Sequence, residues 1–143
     1  MWFHFTVGVG GKYDATNAIQ NPIVCGVTTL DIDHTSKLGD TIEEIALHKA
    51  GIMKAGRLTI VDGFQRQDAL KVLKSEAMRI GSSILTIPPL NEYDWGPYSG
   101  LFDGHQNNKM DEVNEHNAAL ALQLSRYYYN YHLSKTLPCS FRG

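Results

Sequence analysis

Apolar runs alternate along this chain with stretches in which apolar side chains recur every three or four positions, and that alternation sets the architecture before any chemistry is considered. Met1 to Val7 reads as a first strand, and Gly8-Val9-Gly10-Gly11 turns the chain. Lys12 to Asn17 follows as a polar loop with good capping residues, and Pro22 closes the connection. Ile23 to Thr29 is an unbroken apolar and β-branched run, as expected of a strand buried on both faces of a parallel sheet. If Asp40 caps a helix, Ile42, Ile45, Ala46, Ile52 and Met53 recur at helical spacing, and the helix ends near Lys54-Ala55-Gly56. Leu58 to Val61 is a third strand. Leu70, Leu73, Ala77 and Ile80 mark the inner face of a helix that stops at Gly81, and Ser83 to Ile87 is a fourth strand ended by Pro88-Pro89.

Strand, helix, strand, helix, strand is a βαβ series, so the expected fold class is α/β, an open and mainly parallel sheet with flanking helices and right-handed crossovers. From Leu90 to about Glu112 the chain is rich in Gly, Pro, Asn and Asp without a period, which is loop or irregular hairpin. A loop of that length is functional, disordered or a misplaced element. A last helix is expected from about Glu115 through Tyr131, with Ala118, Ala121, Leu122 and Tyr129 on one side. The tyrosines Tyr127, Tyr128, Tyr129 and Tyr131 read as amphipathic packing rather than a stacking platform. There is no internal repeat.

Length then limits this to one domain with a sizeable core, since the chain has 143 residues. The net charge of -2 comes from intermixed acids and bases, with no basic run to follow a phosphate backbone and no basic amphipathic face. Nucleic acid and membranes are poor partners for such a chain, and a monomer is expected. Cys25 and Cys139 form neither a disulfide framework nor a zinc spacing, so a reducing compartment is the default. No segment reaches the roughly 20 apolar residues that cross a bilayer, and the start lacks the pattern of a signal peptide. A chain that opens inside a strand is expected to be cut from something longer.

One residue breaks the pattern. Lys49, seven on from Ile42, falls inside the apolar stripe of its helix. Burying a lone ammonium costs several kcal/mol or more, so the amine is paired, neutralised or chemically changed. It could pair with Asp33 or Glu44, or carry its ammonium out past the helix end. A neutral amine could instead take up carbon dioxide as a carbamate, a carboxylate able to serve a hard divalent ion. Just upstream, Asp33-His34-Thr35-Ser36 follows the strand at Ile23, where ligand sites of α/β sheets are built. His34 alone reads more readily as a hydrogen-bonded structural residue than as a metal ligand. Beside an inward Lys49, an imidazole and a carboxylate together with phosphate oxygens would suit magnesium.

The glycine turn does not fit a phosphate loop. GxxxxGK[ST] would need glycine at Thr6 and Ser or Thr at Tyr13, and GxGxxG would need glycine at Tyr13. It reads as a tight turn where backbone passes close to a ligand or another segment. Gly104-His105-Gln106 and Glu115-His116-Asn117 offer amides suited to a purine edge, and equally to caps and loop ties.

Several segments together resemble consecutive motifs of the folylpolyglutamate synthases, relatives of the Mur ligases. They are Val7-Gly8-Val9-Gly10-Gly11-Lys12-Tyr13-Asp14-Ala15-Thr16-Asn17, the stretch Cys25 to Thr41, Ile45-Ala46-Leu47-His48-Lys49-Ala50-Gly51-Ile52, and Asn117-Ala118-Ala119-Leu120-Ala121-Leu122-Gln123-Leu124. The match covers most of the chain and is most specific from Ile32 to Ile52.

The resemblance implies part of a Mur ligase-like central domain, with residues 1–143 a partial ATP-binding domain. It implies an ATP-dependent ligase that adds glutamate to the γ-carboxylate of folate or tetrahydrofolate through an acyl phosphate. His34 would be a ligand of Mg2+ at the ATP phosphates and Lys49 the carbamylated lysine that supports that site. Tyr13, Asp14 and Ala15 match positions associated with the pterin or folate, Asn117 the adenine contact, and Gln106 the same adenine motif. Positioning and charge neutralisation would carry most of the catalysis. The expected compartment is cytoplasmic, with a mitochondrial form of a full-length protein.

The chain also departs from that family. Thr6 stands where the family has a metal-binding glutamate, and neither the Gly-Thr-Asn-Gly-Lys-Gly-Ser phosphate loop nor the C-terminal domain with its Asp-Gly-Ala-His segment has a counterpart. Asn107 to His116 intervene between Gln106 and Asn117, where the family has two residues, so Asn117 is the safer adenine assignment. The expectation is a truncated copy, inactive alone. The rivals are a pseudoenzyme that binds folate or nucleotide without chemistry and a hydrolase using a carbamylated lysine between two metals, which lacks a second histidine cluster near His34.

Overall fold

The computed structural model describes residues 4–88 and 111–136. Among the described residues three strands form a parallel sheet in the order β1 (Val24–Val27), β2 (Leu58–Asp62) and β3 (Ser83–Ile87). Val24 is level with Leu58, and Leu58 with Ser83, so all three strands start together and their carboxyl ends share one edge. Helices α1 (Thr35–Leu38) and α2 (Ile42–Ala50) connect β1 to β2, α3 (Gln67–Ile80) connects β2 to β3, and α4 (Glu112–Thr136) follows. The α/β class with an open parallel sheet is as the sequence predicts.

Side chains alternate across the sheet and bury two separate cores. Val27 and Val61 face α2 and α3, meeting Ile42, Ile45, Ala46, Ala50, Leu70, Leu73 and Ala77. Ile60 and Ile87 face α4, meeting Ala119 and Leu120, with Leu124 and Tyr127 alongside. The strand buried on both faces is β2, where Thr59, Ile60, Val61 and Asp62 are all at most 2% exposed. The run beginning at Ile23 predicts that role for β1, but β1 lies at the end of the sheet's strand order, with Val24 and Gly26 half-buried.

Other differences have local causes. The segment expected to be the first strand takes no strand conformation over its described residues, His4 to Val7, of which His4, Phe5 and Thr6 are exposed. Thr41, not Asp40, caps α2, because its hydroxyl accepts the Glu44 N–H at 3.2 Å while the Glu44 carboxylate reaches back to the Thr41 N–H, a capping box. α2 ends at Ala50, short of Lys54, because the glycine-rich turn docks against its last carbonyls. α3 stops as predicted, with Gly81 left-handed at φ 79.

α4 begins at Glu112, runs to Thr136, and buries a different face from the one expected. Its inward residues are His116, Ala119 and Leu120, with Leu124 and Tyr127 half-buried, whereas Ala121 and Tyr129 are exposed. From Asn117 to Leu124 so many residues are apolar that two overlapping stripes fit a helical period equally well. No helix of the described residues is long and apolar enough to cross a membrane. The expected loop at Leu90 lies, up to residue 110, outside the described residues, as does Cys139.

Candidate functional site

The residues singled out by sequence fall in two regions. The first is built where the glycine-rich turn lies across the end of α2. Gly10 and Gly11 take φ values of 73 and 151, and a Cβ on Gly11 would stand 2.8 Å from Ile52 and 3.2 Å from the His48 carbonyl. Only glycine allows that approach. Lys12 N–H then donates to the His48 carbonyl at 2.9 Å, fixing the loop on the helix. The turn therefore passes close to another segment, one of the two readings its sequence allows.

Immediately afterwards Asp14 caps a short 3-10 helix, Ala15–Ala18, by accepting from the Thr16 N–H at 2.9 Å and the Thr16 hydroxyl at 2.6 Å. Its second oxygen accepts from the Gly8 N–H at 3.1 Å, so one carboxylate ties both ends of the turn. These bonds, the Thr16 hydroxyl first, hold the Asp14 carboxyl below its ordinary range. The result is a cleft of about 340 Å³ lined by Tyr13, Asp14 and Ala15 with Lys37, Leu38 and His48. Tyr13 and His48 meet edge to face at 5.6 Å. An exposed aromatic ring, an imidazole, an ammonium and a carboxylate around one opening suit a flat heteroaromatic ligand with polar edges. The structure thus brings Tyr13, Asp14 and Ala15 to one cleft and adds Lys37 and His48, which the sequence reading does not single out.

The second region is the carboxyl edge of the sheet, where α/β proteins place ligands. His34 follows β1 there. It is exposed and left-handed at φ 53, with its Nε2 3.5 Å from Asp33 Oδ2. That conformation is uncommon outside glycine and turns the chain that follows β1 into the start of α1, with His34 at its N-cap. Lys49 lies in α2, half-buried beside the fully buried Ile45, Ala46 and Ala50. Neither acid weighed as its partner is paired with it: Glu44 is engaged by Asp40 and Thr41, and Asp33 by His34. The described residues contain no group of three His, Cys, Asp or Glu side chains able to hold a metal. A magnesium ion here would thus need phosphate oxygens and water for most of its coordination.

Sequence reasoning misses the polar cluster behind this edge. Asp62, the last residue of β2, is 2% exposed and accepts from the Thr29 hydroxyl and from the Phe64 N–H at 3.1 Å. His116 of α4 places Nδ1 3.3 Å from its Oδ1. Gln65, also buried, bridges to the segment just after β1, accepting the Leu30 N–H at 2.8 Å and donating to the Thr28 carbonyl at 2.7 Å. The available signal was position: an aspartate ending an apolar run occupies the same edge that draws attention to Asp33 and His34. Asn117 is exposed, next to His116 on α4, while Gln106 lies outside the described residues.

No protein-family model matches the chain. A mitochondrial folylpolyglutamate synthase of Bos taurus is 44% identical over 123 residues, 84% of this chain and 20% of that protein. The chain spans about a fifth of the length of the curated relatives it matches. Among solved structures, an FPGS–AMPPCP–folate complex superposes with a TM-score of 0.67 at 28% identity, covering 87% of this chain and 33% of that one. E. coli FolC in complex with DHPP and ADP gives 0.51 at 34% identity, over 56% of this chain and 18% of that one.

Proposed function

Since the chain belongs to the folylpolyglutamate synthase family, we propose that residues 1–143 are part of the ATP-binding domain of a ligase that joins glutamate to the γ-carboxylate of folate or tetrahydrofolate. The observation that carries this reading is the cleft, because Tyr13, Asp14 and Ala15, the residues expected to meet the pterin, line one opening of about 340 Å³. The complexes of relatives with folate and AMPPCP, and with DHPP and ADP, support a site for each ligand class.

In this scheme ATP lies over the carboxyl edge of the sheet, with Asn117 at the adenine. His34 supplies one ligand to Mg2+ held mainly by the triphosphate, and Lys49, carbamylated, supplies negative charge beside it. Gln106 has a place in the same adenine motif. The chain functions in the cytoplasm, with a mitochondrial form of the longer protein.

The 143 residues contain no Gly-Thr-Asn-Gly-Lys-Gly-Ser loop, and Thr6 cannot ligate as a carboxylate does. They therefore bind without turning over on their own. A pseudoenzyme that binds folate or nucleotide is the second reading, favoured by Thr6.

Thermal unfolding with folate and with MgATP, tested separately, checks the binding sites. Saturation at a hundred times Kd adds about 2.7 kcal/mol of stability. A shift with neither ligand overturns the reading of both sites. Phosphate release with tetrahydrofolate, glutamate and MgATP checks the rest: none is expected, and measurable turnover overturns the inactivity of the isolated chain.

A further inference from the structure

We propose that His116 is a positioning residue for nucleotide recognition, fixing through Asp62 the rotation of α4 about its own axis and hence where Asn117 presents its amide. The proposal rests on the reading of Asn117 as the adenine contact.

Helix packing alone fixes that rotation weakly. From Asn117 to Leu124 the sequence is Asn-Ala-Ala-Leu-Ala-Leu-Gln-Leu, and one stripe through Ala118, Ala121 and Leu122 competes with another through Ala119, Leu120 and Leu124. Alanine and leucine occupy both stripes, so a buried polar contact adds to the choice between them. His116 makes one, its Nδ1 standing 3.3 Å from Asp62 Oδ1 though outside hydrogen-bonding geometry, and it belongs to the second stripe, the one the structure buries.

The partner is itself immobile. Asp62 ends the central strand and is held by the Thr29 hydroxyl and the Phe64 N–H. Its side chain and that of His116 are 3% and 7% exposed, with Nδ1 3.3 Å from Oδ1. The Phe64 ring lies 4.2 Å from the imidazole and closes the contact from one side. Successive helical residues are about 100° apart, so a helix pinned at His116 has the direction of Asn117 determined as well. A buried carboxylate that loses its facing group is left less well compensated, and the helix then lacks the polar contact that favours this rotation.

The test compares His116→Leu, which removes the polar contact, with His116→Asn, whose side-chain nitrogen can take the place of Nδ1. Two readouts are followed: the Asn117 side-chain amide resonance in the free protein, and the preference for MgATP over MgGTP by titration calorimetry. His116→Leu is expected to move the resonance and to cut the ATP preference about tenfold, and His116→Asn to restore both. Leu120→Ala, which weakens the same helix by packing alone, is expected to leave both in place well below its unfolding temperature.

If His116→Leu does not fold, Asp62→Asn, of the same shape, replaces it and is expected to move the resonance in the same sense. An unmoved Asn117 resonance in a folded variant overturns the proposal. A moved resonance in a chain whose wild type binds neither nucleotide leaves the positioning role standing and overturns the adenine reading instead.

Discussion

Replacing Gly51 by alanine sets two physical effects against each other, and the structure decides which wins. Gly51 sits at φ −59 and ψ −14, ordinary right-handed backbone that alanine adopts freely. On that ground alone the substitution would stabilise the protein by about 0.4–1 kcal/mol, because alanine restricts the unfolded chain. Space argues the other way. A Cβ at Gly51 would stand 2.6 Å from both Cα and Cβ of Lys12 and 3.0 Å from its backbone nitrogen. That neighbour is backbone, and it is tied by the Lys12 N–H donation to the His48 carbonyl.

Forced overpacking costs about 1–3 kcal/mol, and loss of the hydrogen bond about 1 kcal/mol more. Subtracting the unfolded-state gain leaves a net loss of about 2 kcal/mol. Urea unfolding followed by circular dichroism measures it. Two other glycines calibrate the result. Gly26→Ala would meet only the Leu124 side chain, 2.9 Å away, which can rotate. Gly56→Ala meets nothing within 4 Å and bears only the strain of φ +69, about 1 kcal/mol. The expected order puts Gly51→Ala as the most damaging. A Gly51→Ala protein as stable as wild type, or less affected than Gly26→Ala, would refute the claim that the turn is locked onto α2.

Leu73, fully buried between α3 and the sheet, should lose about 2–5 kcal/mol on truncation to alanine, read by the same unfolding curves. Asp14, whose carboxyl is held low chiefly by the Thr16 hydroxyl, contributes stability that is present above the ordinary carboxylate pKa and is lost as pH falls through the lowered one; unfolding of wild type and Asp14→Asn across acid pH should therefore converge at the low end. Burial pushes the Cys25 thiol up and Lys54 lowers it less, so alkylation of the native protein near neutral pH should be slow and accelerate on unfolding; rapid labelling of Cys25 in the folded state would contradict that burial.

What was legible in sequence follows from how local the cause is. β2, α3 and β3 can be read because each carries its own signal: β-branched runs, a clean 3.6-residue period, and Gly81 where a left-handed cap is needed. The face of α4 cannot, because its apolar residues fit two rotations and the deciding contact, His116 with Asp62, joins residues more than fifty positions apart. Asp62 and Gln65 are invisible for the same reason, since each looks like ordinary turn chemistry until the register brings the strand ends to one edge.

Lys49 shows how far a helix period can be pushed. Seven residues from Ile42, it is placed in the stripe by spacing, yet α2 ends one residue later and the amine is half-buried rather than enclosed. The end is imposed from outside the helix, by the glycine turn that takes the His48 carbonyl. The same contact shapes the Tyr13 cleft, since Gly11 and Gly51 bring the turn onto α2 and His48 then lines the opening. The stretch carrying Lys49 and the loop carrying Tyr13, Asp14 and Ala15 are thus one mechanical unit, joined by backbone contacts that a single Cβ would break. Perturbing Gly51 should therefore disturb the cleft and the surroundings of Lys49 together, whereas changes to the Asp62 cluster should act on α4 and leave the cleft intact.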